Sequence, residues 1–522
     1  MPPYTPMRRA MKASPTHSSL RSFMSIEIRL NGVKGSPPRD LKTTLPHILP
    51  MSKPSNTEKM RDFAEKVIPE FMREGKIPGF SIAVVKKGEI IYAQGFGARD
   101  PARSLPATPE TLYGIGSCSK SFVALAAMQL AEKGKIKLTD PASDYVPFKL
   151  GLKEKPITIH HLLSHGSGVP NLATSTIGLS RGVGIDLGVP WGSADDFYRV
   201  VNSANAEIAA DPGERFFYSN EGFRVVGNII QEVSGVPFHE YIHEQILKPL
   251  GMRRSTFVRH EFDADPDRMV AHWKKTDGTM QPTGFPYPDI SENPGFSWNA
   301  AAGGLMAPMT ELTTYLAALM NGGVHRGKRI ASEESIEEMF TPHIRYAETY
   351  WGMSSYGYGW SILPDFHGHK QVSHGGSLLV ATAHLAMVPS LGLGVAMAAN
   401  TSRPPFATIA DGVFAALMGS DPYAHPHLRL REKMRNLTGE YQIHMGLERL
   451  RIINRGGLLY IEQRDPFVDA QTPLIPEDPV LDKLRFYTLT EGIRQPVEFV
   501  ETECGYDLFL ERYRYHKRCF VG

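Results

Sequence analysis

Apolar residues between positions 53 and 420 follow two patterns, one typical of helices and one typical of strands. Helical spacing predicts helices over residues 57–74, 117–133, 223–233, 238–250 and 310–320. Apolar runs on both sides of a turn predict hairpins over residues 78–97 and 378–399, the second buried and preceded by a glycine-rich edge. The polar interval 260–298, rich in Asp, Pro and Gly, predicts surface loops.

The pattern changes at both ends of the chain. Residues 1–52 are rich in Pro and Ser and predict a disordered tail or linker. Residues 421–436 are polar, with two prolines and a basic run, and predict a second linker. Short, regularly spaced strands without a helix follow over residues 437–522, which is typical of a small all-β barrel. The remaining segment, 53–420, is the main domain.

Composition and charge favour small molecules or short peptides as partners. The chain has 522 residues, of which 42% are hydrophobic and 21% charged, with a formal net charge of +2. This nearly balanced charge creates no strong electrostatic field that would attract nucleic acid or an anionic membrane. No apolar run is long enough to span a bilayer. The oligomeric state is left open.

The first 25 residues carry four basic side chains and no acidic one. Such a composition is compatible with a mitochondrial presequence, but its prolines interrupt any amphipathic helix and favour a tail. The three cysteines do not make a disulfide framework, and whether Cys504 and Cys519 pair stays open. A cytoplasmic location with reduced thiols is therefore the expectation.

The histidines of the chain predict no metal site. His160 and His161 are adjacent and cannot share a helix face, and His161 with His165 is a weak pair without further ligands. Likewise, the glycines of residues 95–97 lack the third glycine and the helix of a nucleotide loop. We therefore expect neither a metal nor a cofactor.

The first candidate catalytic residues are a serine and a lysine at the N-terminus of the helix predicted over 117–133. On a helix, positions i and i+3 share a face, so the Lys120 amine can reach the Ser117 hydroxyl. A serine hydroxyl needs such an adjacent base or cation to act as a nucleophile. A capping serine beside a solvated lysine would show the same local spacing, so the remaining chain must decide.

Two further segments carry groups that could act together with Ser117 and Lys120. Tyr218 and Asn220 lie in a loop before a helix, and His374, Gly375 and Gly376 precede the apolar hairpin. Glycines at such a strand edge allow a ligand to approach the backbone closely.

In this order, Ser117-x-x-Lys120, Tyr218-x-Asn220 and His374-Gly375-Gly376 resemble the signature elements of the class C β-lactamase and penicillin-binding protein family of serine hydrolases. The resemblance covers residues 55–420. It implies an α+β fold, with an antiparallel sheet flanked by helices and a helical subdomain. The C-terminal segment is similar to the lipocalin-like barrel that some peptidase and esterase members append.

The resemblance also implies a role for each residue. Ser117 would attack the acyl carbonyl, and Lys120 and Tyr218 would handle its proton, with either of them as the base. A cation at Lys120 would lower the pKa of Tyr218 from its ordinary value near 10. Asn220 would bind the acyl side of the substrate, and the backbone N–H groups of Ser117 and Ser377 would form the oxyanion hole. Motif position favours Ser117 over the neighbouring serines at 119 and 121.

His374 departs from the β-lactamase pattern, which usually has a lysine there to bind a carboxylate. A histidine is about half charged near pH 6.5 and anchors an anion more weakly. We therefore expect an esterase or D-amino-acid peptidase with weak or absent β-lactamase activity. Two alternatives stay open: an acyltransferase or transesterase on a small metabolite, and a catalytically silent scaffold of the same fold.

Overall fold

The computed structural model describes residues 54–518, except 152–153, 183, 276, 287–288, 403, 465, 467, 479 and 504. The predicted tail at 1–52 and both Cys504 and Cys519 lie outside the described residues. The α-helices are α1 Asn56–Gly75, α2 Ser119–Glu132, α3 Ile159–Leu163, α4 Ser175–Gly182, α5 Ala194–Asn202, α6 Asn220–Ser234, α7 Phe238–Ile242, α8 Lys248–Leu250, α9 Arg259–Ala264, α10 Met309–Met320, α11 Glu333–Met339, α12 Phe406–Leu417 and α13 Pro426–Leu437.

The strands fall into a large sheet, three short pairs and a barrel. The first fifteen are β1 Gly79–Lys86, β2 Glu89–Asp100, β3 Leu105–Pro106, β4 Tyr113–Gly114, β5 Ala271–Lys274, β6 Met280–Thr283, β7 Met306–Ala307, β8 Val324–His325, β9 Lys328–Arg329, β10 Ile344–Thr349, β11 Gly352–Tyr356, β12 Ser361–Phe366, β13 His369–Ser377, β14 Thr382–Val388 and β15 Leu393–Ala399. The barrel strands are β16 Gly439–Gln442, β17 Arg449–Arg455, β18 Leu458–Arg464, β19 Asp469–Pro476, β20 Arg485–Thr490, β21 Ile493–Thr502, β22 Gly505–Leu510 and β23 Tyr513–Lys517.

Within the described residues, nine strands form one antiparallel sheet in the order β10-β11-β12-β13-β14-β15-β1-β2-β3. The predicted hairpin over 78–97 is β1 and β2, and the predicted hairpin over 378–399 is β14 and β15. The glycine-rich segment before that hairpin differs from the prediction, because it forms a separate strand, β13, that pairs with β14. Glycines carry little strand propensity, so the pattern alone did not reveal it.

Helices cover both faces of this antiparallel sheet, in agreement with the predicted sheet flanked by helices. Helices α1 and α12 pack on one face, where their apolar side chains meet those of β1, β14 and β15. Helices α2, α6 and α10 lie in the larger core on the other face. Helix α2 is buried nearly all round, and the turn Gly116–Cys118 that precedes it contacts β13.

The interval 260–298 is more ordered than the prediction of surface loops. It contains α9 and the hairpin β5–β6, and the side chain of Trp298 is completely buried. The ring of Trp298 packs edge-on against Phe197 and Phe296. Isolated aromatic residues in a polar segment give no periodic signal, although each buries a large apolar area.

The C-terminal strands close into an eight-stranded antiparallel barrel in the part of the chain that the structure describes, in accordance with the predicted small all-β barrel. Residues 426–437, predicted as part of a linker, form helix α13. Its Met434 and Leu437 enter the barrel core, and its Arg431 forms ion pairs with Glu70 and Glu74 of α1. The domain boundaries at residues 53, 420 and 437 stay predictions. No helix among the described residues is long and apolar enough to cross a membrane.

Candidate active site

Ser117 lies in a tight turn between strand β4 and helix α2. Gly116 opens the 3₁₀ turn Gly116–Cys118 with a φ of 53°, in the left-handed region that favours glycine. A Cβ on Gly116 would lie 2.6 Å from the backbone nitrogen of Ser377. The turn therefore needs glycine for two reasons, its dihedral angles and its contact with β13.

Lys120 is completely buried and has three polar partners. Its Nζ lies 3.0 Å from Ser117 Oγ, 2.7 Å from Asn220 Oδ1 and 2.7 Å from the carbonyl oxygen of Ala302. Burial, followed by the positive charge of Arg224, lowers the pKa of Lys120 well below its ordinary value of 10.5. The neutral amine is thereby favoured next to the Ser117 hydroxyl.

The other candidate nucleophiles near Ser117 are engaged in hydrogen bonds with the backbone. Ser119 Oγ donates to the Gly116 carbonyl and accepts from the Leu305 N–H, and Ser121 Oγ donates to the Cys118 carbonyl. Burial raises the pKa of the Cys118 thiol to about 12, which keeps it protonated. Ser117 is the serine of this turn that meets the lysine.

Tyr218 and Asn220 approach Lys120 from the start of helix α6. Ser219 caps this helix by accepting from the Gly222 N–H, so Asn220 is its first residue. Lys120 Nζ lies 4.9 Å from the centre of the Tyr218 ring. Asn220 was predicted to bind the substrate, and in the structure its Oδ1 accepts a hydrogen bond from Lys120.

Strand β13 brings its glycine-rich end against the Ser117 turn. A Cβ on Gly376 would lie 3.1 Å from the Ser117 nitrogen, so the predicted oxyanion-hole segments are in contact. Pairing with β12 ends at Ser361 opposite Ser373. Among the described strands, none pairs with residues 375–377 on that side, which leaves backbone groups open to an extended ligand.

His374 differs from the sequence expectation of a partly charged side chain. It is buried, its Nδ1 donates to the Gly375 carbonyl at 2.6 Å, and its Nε2 accepts from the Tyr356 hydroxyl at 2.7 Å. Burial and the nearby Lys120 lower the pKa of His374 to about 3. This histidine is neutral at pH 7 and supplies no charge for a substrate carboxylate.

Two family models match this chain, and together they span most of it. A family model described as Beta-lactamase matches residues 64–418. The chain belongs to the Beta-lactamase family. A second family model, described as the Pab87 octamerisation domain, matches residues 422–516 and therefore covers the barrel. The lipocalin likeness of the barrel has no such match and stays a prediction.

Two solved structures are similar to large parts of this β-lactamase-family chain. The octameric penicillin-binding protein homologue from Pyrococcus abyssi is 36% identical, with a TM-score of 0.79 over 88% of this chain and 99% of its own. EstCE1, a hydrolase with promiscuous acyltransferase activity, is 22% identical, with a TM-score of 0.56 over 69% of this chain and 99% of its own. At that identity EstCE1 shows the fold alone.

Curated relatives match the β-lactamase-family chain over shorter stretches. Protein flp of Staphylococcus aureus (strain MW2) is 33% identical over 39% of this chain and 39% of its own length. The putative penicillin-binding protein PbpX of Bacillus subtilis (strain 168) is 30% identical over 60% of this chain and 69% of its own. The chain thus spans well under half of the staphylococcal relative.

Sequence reasoning missed two residues of this β-lactamase-like site. His165 is buried with its ring 4.2 Å from that of Tyr218, and its Nδ1 accepts from the Ser219 N–H. Tyr356 holds His374 and packs edge-on against Tyr218. His165 belongs to a histidine cluster that was considered only for metal binding. Among the described residues, no group of three His, Cys, Asp or Glu could hold a metal ion.

We predict that Gly376→Ala lowers kcat/KM for an ester substrate by about 10²-fold. The added Cβ would lie 1.8 Å from the Ile115 carbonyl oxygen and displace the turn that carries Ser117. Gly178→Ala in helix α4 is the control, because its added Cβ would meet no atom within 4 Å. Steady-state kinetics of both variants test this, and equal losses would contradict it.

Proposed function

We propose that the chain is a serine hydrolase that forms an acyl-enzyme at Ser117 with ester or amide substrates. The observation that carries the proposal is the buried Lys120 amine, 3.0 Å from Ser117 Oγ, with a pKa lowered by burial. A neutral amine within hydrogen-bond reach of a hydroxyl meets the requirement for nucleophile activation.

The contacts of Lys120 support its role as the base. A neutral amine has two N–H donors and one lone pair, and Asn220 Oδ1 and the Ala302 carbonyl oxygen can only accept. The lone pair is then directed at Ser117, from which it takes the proton as Oγ attacks the acyl carbon. We assign Tyr218, beside Lys120, to pass that proton to the leaving group.

The carbonyl oxygen becomes negative as Ser117 attacks. The backbone N–H groups of Ser117 and Ser377, on the turn and on β13, are proposed to stabilise it. The open edge of β13 would hold the substrate backbone, and Gly375 and Gly376 allow its close approach. Water, or an alcohol or amine acceptor, then releases the acyl group.

The neutral state of His374 bears on the substrate class. Its ring is held by Gly375 and Tyr356, and it places no positive charge at the end of the site. A substrate carboxylate, as in a β-lactam antibiotic, therefore lacks its partner there. We propose acyl esters and D-amino-acid amides as substrates, with weak β-lactam hydrolysis.

A fluorophosphonate probe tests this function directly. We expect one covalent adduct per chain, and peptide mapping should locate it at Ser117. The hydroxyls of Ser119 and Ser121, on the same peptide, are internal controls that should stay unmodified because the backbone engages them. Absence of an adduct, together with no turnover in a panel of esters and amides, would instead support the silent scaffold.

We further propose that the chain assembles into an oligomer through its barrel. The support is the octamerisation family match at residues 422–516, together with the octameric archaeal homologue, whose chain is covered to 99%. Light scattering after size-exclusion chromatography should give the mass of several chains, with eight as the expected number. A single-chain mass at every concentration would contradict the proposal.

A further inference from the structure

A cavity of about 610 Å³ opens beside Tyr218 and extends away from the Ser117 turn. Tyr218, His374 and Gly375 line its inner end, next to the proposed proton path. Besides Tyr218, five aromatic residues line its walls: Phe216, Tyr346, Tyr350, Trp351 and Tyr356. Since Tyr218 serves the leaving group in the proposed mechanism, this cavity lies where the leaving group would be.

Asp411 of helix α12 is the single carboxylate among the described residues that line this cavity, and no lysine or arginine is among them. Its side chain is mostly buried, and its oxygens accept three hydrogen bonds. Gln371 Nε2 lies at 2.7 Å, Trp351 Nε1 at 2.9 Å and His425 Nε2 at 3.2 Å. These donors hold the carboxylate in a fixed orientation.

Two of the three donors to Asp411 carry no charge. These are Gln371 and Trp351, whereas His425 accepts from the His427 N–H at Nδ1 and meets Asp411 through Nε2. Burial lowers the pKa of His384 to about 4 and that of His374 to about 3, so these two of the three lining histidines are neutral at pH 7. A negative charge thus remains in an aromatic cavity.

We propose that this cavity binds a cationic group, a quaternary or primary ammonium, on the leaving group of the substrate. The inference rests on the proposed acyl-enzyme function and adds a substrate class to it. A cation gains from the faces of Tyr350 and Trp351 and from the Asp411 carboxylate, whereas an uncharged group of the same shape gains only its apolar contact.

The test compares butyryl esters of trimethylammonio alcohols with their tert-butyl isosteres, in which carbon replaces the charged nitrogen. A short, choline-like spacer and a hexyl spacer probe two depths of the cavity. We expect kcat/KM for the charged ester to exceed that for its isostere by about tenfold or more at one of the two lengths. An equal or lower value at both lengths would overturn the inference.

Variants assign the preference to the cavity. Asp411→Asn should remove most of the charge preference, measured within the variant as the ratio of kcat/KM for the charged ester to kcat/KM for its isostere. Glu432→Gln, which removes an exposed carboxylate of α13, is the matched control and should keep the preference. If the preference survives in Asp411→Asn, the assignment to Asp411 is wrong.

A second pair of variants is independent of the buried Asp411. Tyr350 is 56% exposed, so its replacement leaves the core intact. Tyr350→Phe should keep the charge preference and Tyr350→Leu should reduce it several-fold, because only Phe retains an aromatic face. Labelling of Ser117 by a fluorophosphonate separates the two hypotheses: a labelled enzyme without charge preference contradicts this inference alone, and an unlabelled one contradicts the proposed function.

Discussion

Ser117→Ala is expected to lower ester turnover by roughly 10⁴-fold and to abolish covalent labelling. The reason is the loss of the one hydroxyl of this turn that meets the Lys120 amine, at 3.0 Å. Any residual rate would come from bound water and the backbone donors of the oxyanion hole. Kinetics with a p-nitrophenyl ester, combined with intact-mass analysis after a fluorophosphonate, measure both effects.

Ser121→Ala is the control for this variant, since it removes a buried hydroxyl one turn away. Ser121 Oγ donates to the Cys118 carbonyl and is not among the hydrogen-bond partners of Lys120 Nζ. Activity should therefore stay within about threefold of the parent enzyme, which is the range that a lost neutral hydrogen bond explains. Comparable losses in both variants would show that the first effect is structural.

Lys120→Met is expected to lower kcat/KM by about 10³-fold, within the range that general-base catalysis contributes. Methionine has a similar length and no lone pair of comparable basicity, so Ser117 loses its proton acceptor. Lys120→Arg distinguishes a base from a simple cation, because a guanidinium stays protonated and cannot accept the proton. A Lys120→Arg enzyme of near-normal activity would contradict the assignment of Lys120 as the base.

The pH dependence of the parent enzyme follows from the same residue. Burial depresses the pKa of Lys120, so the amine is neutral above that pKa and protonated below it. We therefore expect kcat/KM to rise with pH as the amine loses its proton and to fall as pH drops through this pKa. The ascending limb of the pH–rate profile should disappear in Lys120→Met.

Much of the fold followed from local patterns. The helix over 57–74 and the hairpin over 78–97 were predicted because their apolar residues repeat with the period of the structure. The interval 260–298 was not, because Trp298 is buried by partners distant in sequence. Strand β13 was missed for a related reason: its pairing partner, rather than its glycines, makes it a strand.

The sequence motifs predicted which side chains lie together, but not the charge state of those side chains. Three short motifs indicated Ser117, Lys120 and Tyr218, and the structure brings them to one place. The neutral state of His374 depends on burial and on Tyr356, and the Ala302 carbonyl that meets Lys120 is a backbone group without a sequence signal. Such properties arise only when distant segments are packed together.

The thiol of Cys118 lies one residue from Ser117, the proposed nucleophile, and the folded protein keeps this thiol out of reach of thiol reagents. Its Sγ is buried against the His374 carbonyl oxygen, at 3.2 Å. A maleimide or iodoacetamide can therefore react at position 118 only when α2 separates from β13. The rate of alkylation at this cysteine, followed by peptide mapping, therefore measures how often α2 and β13 separate.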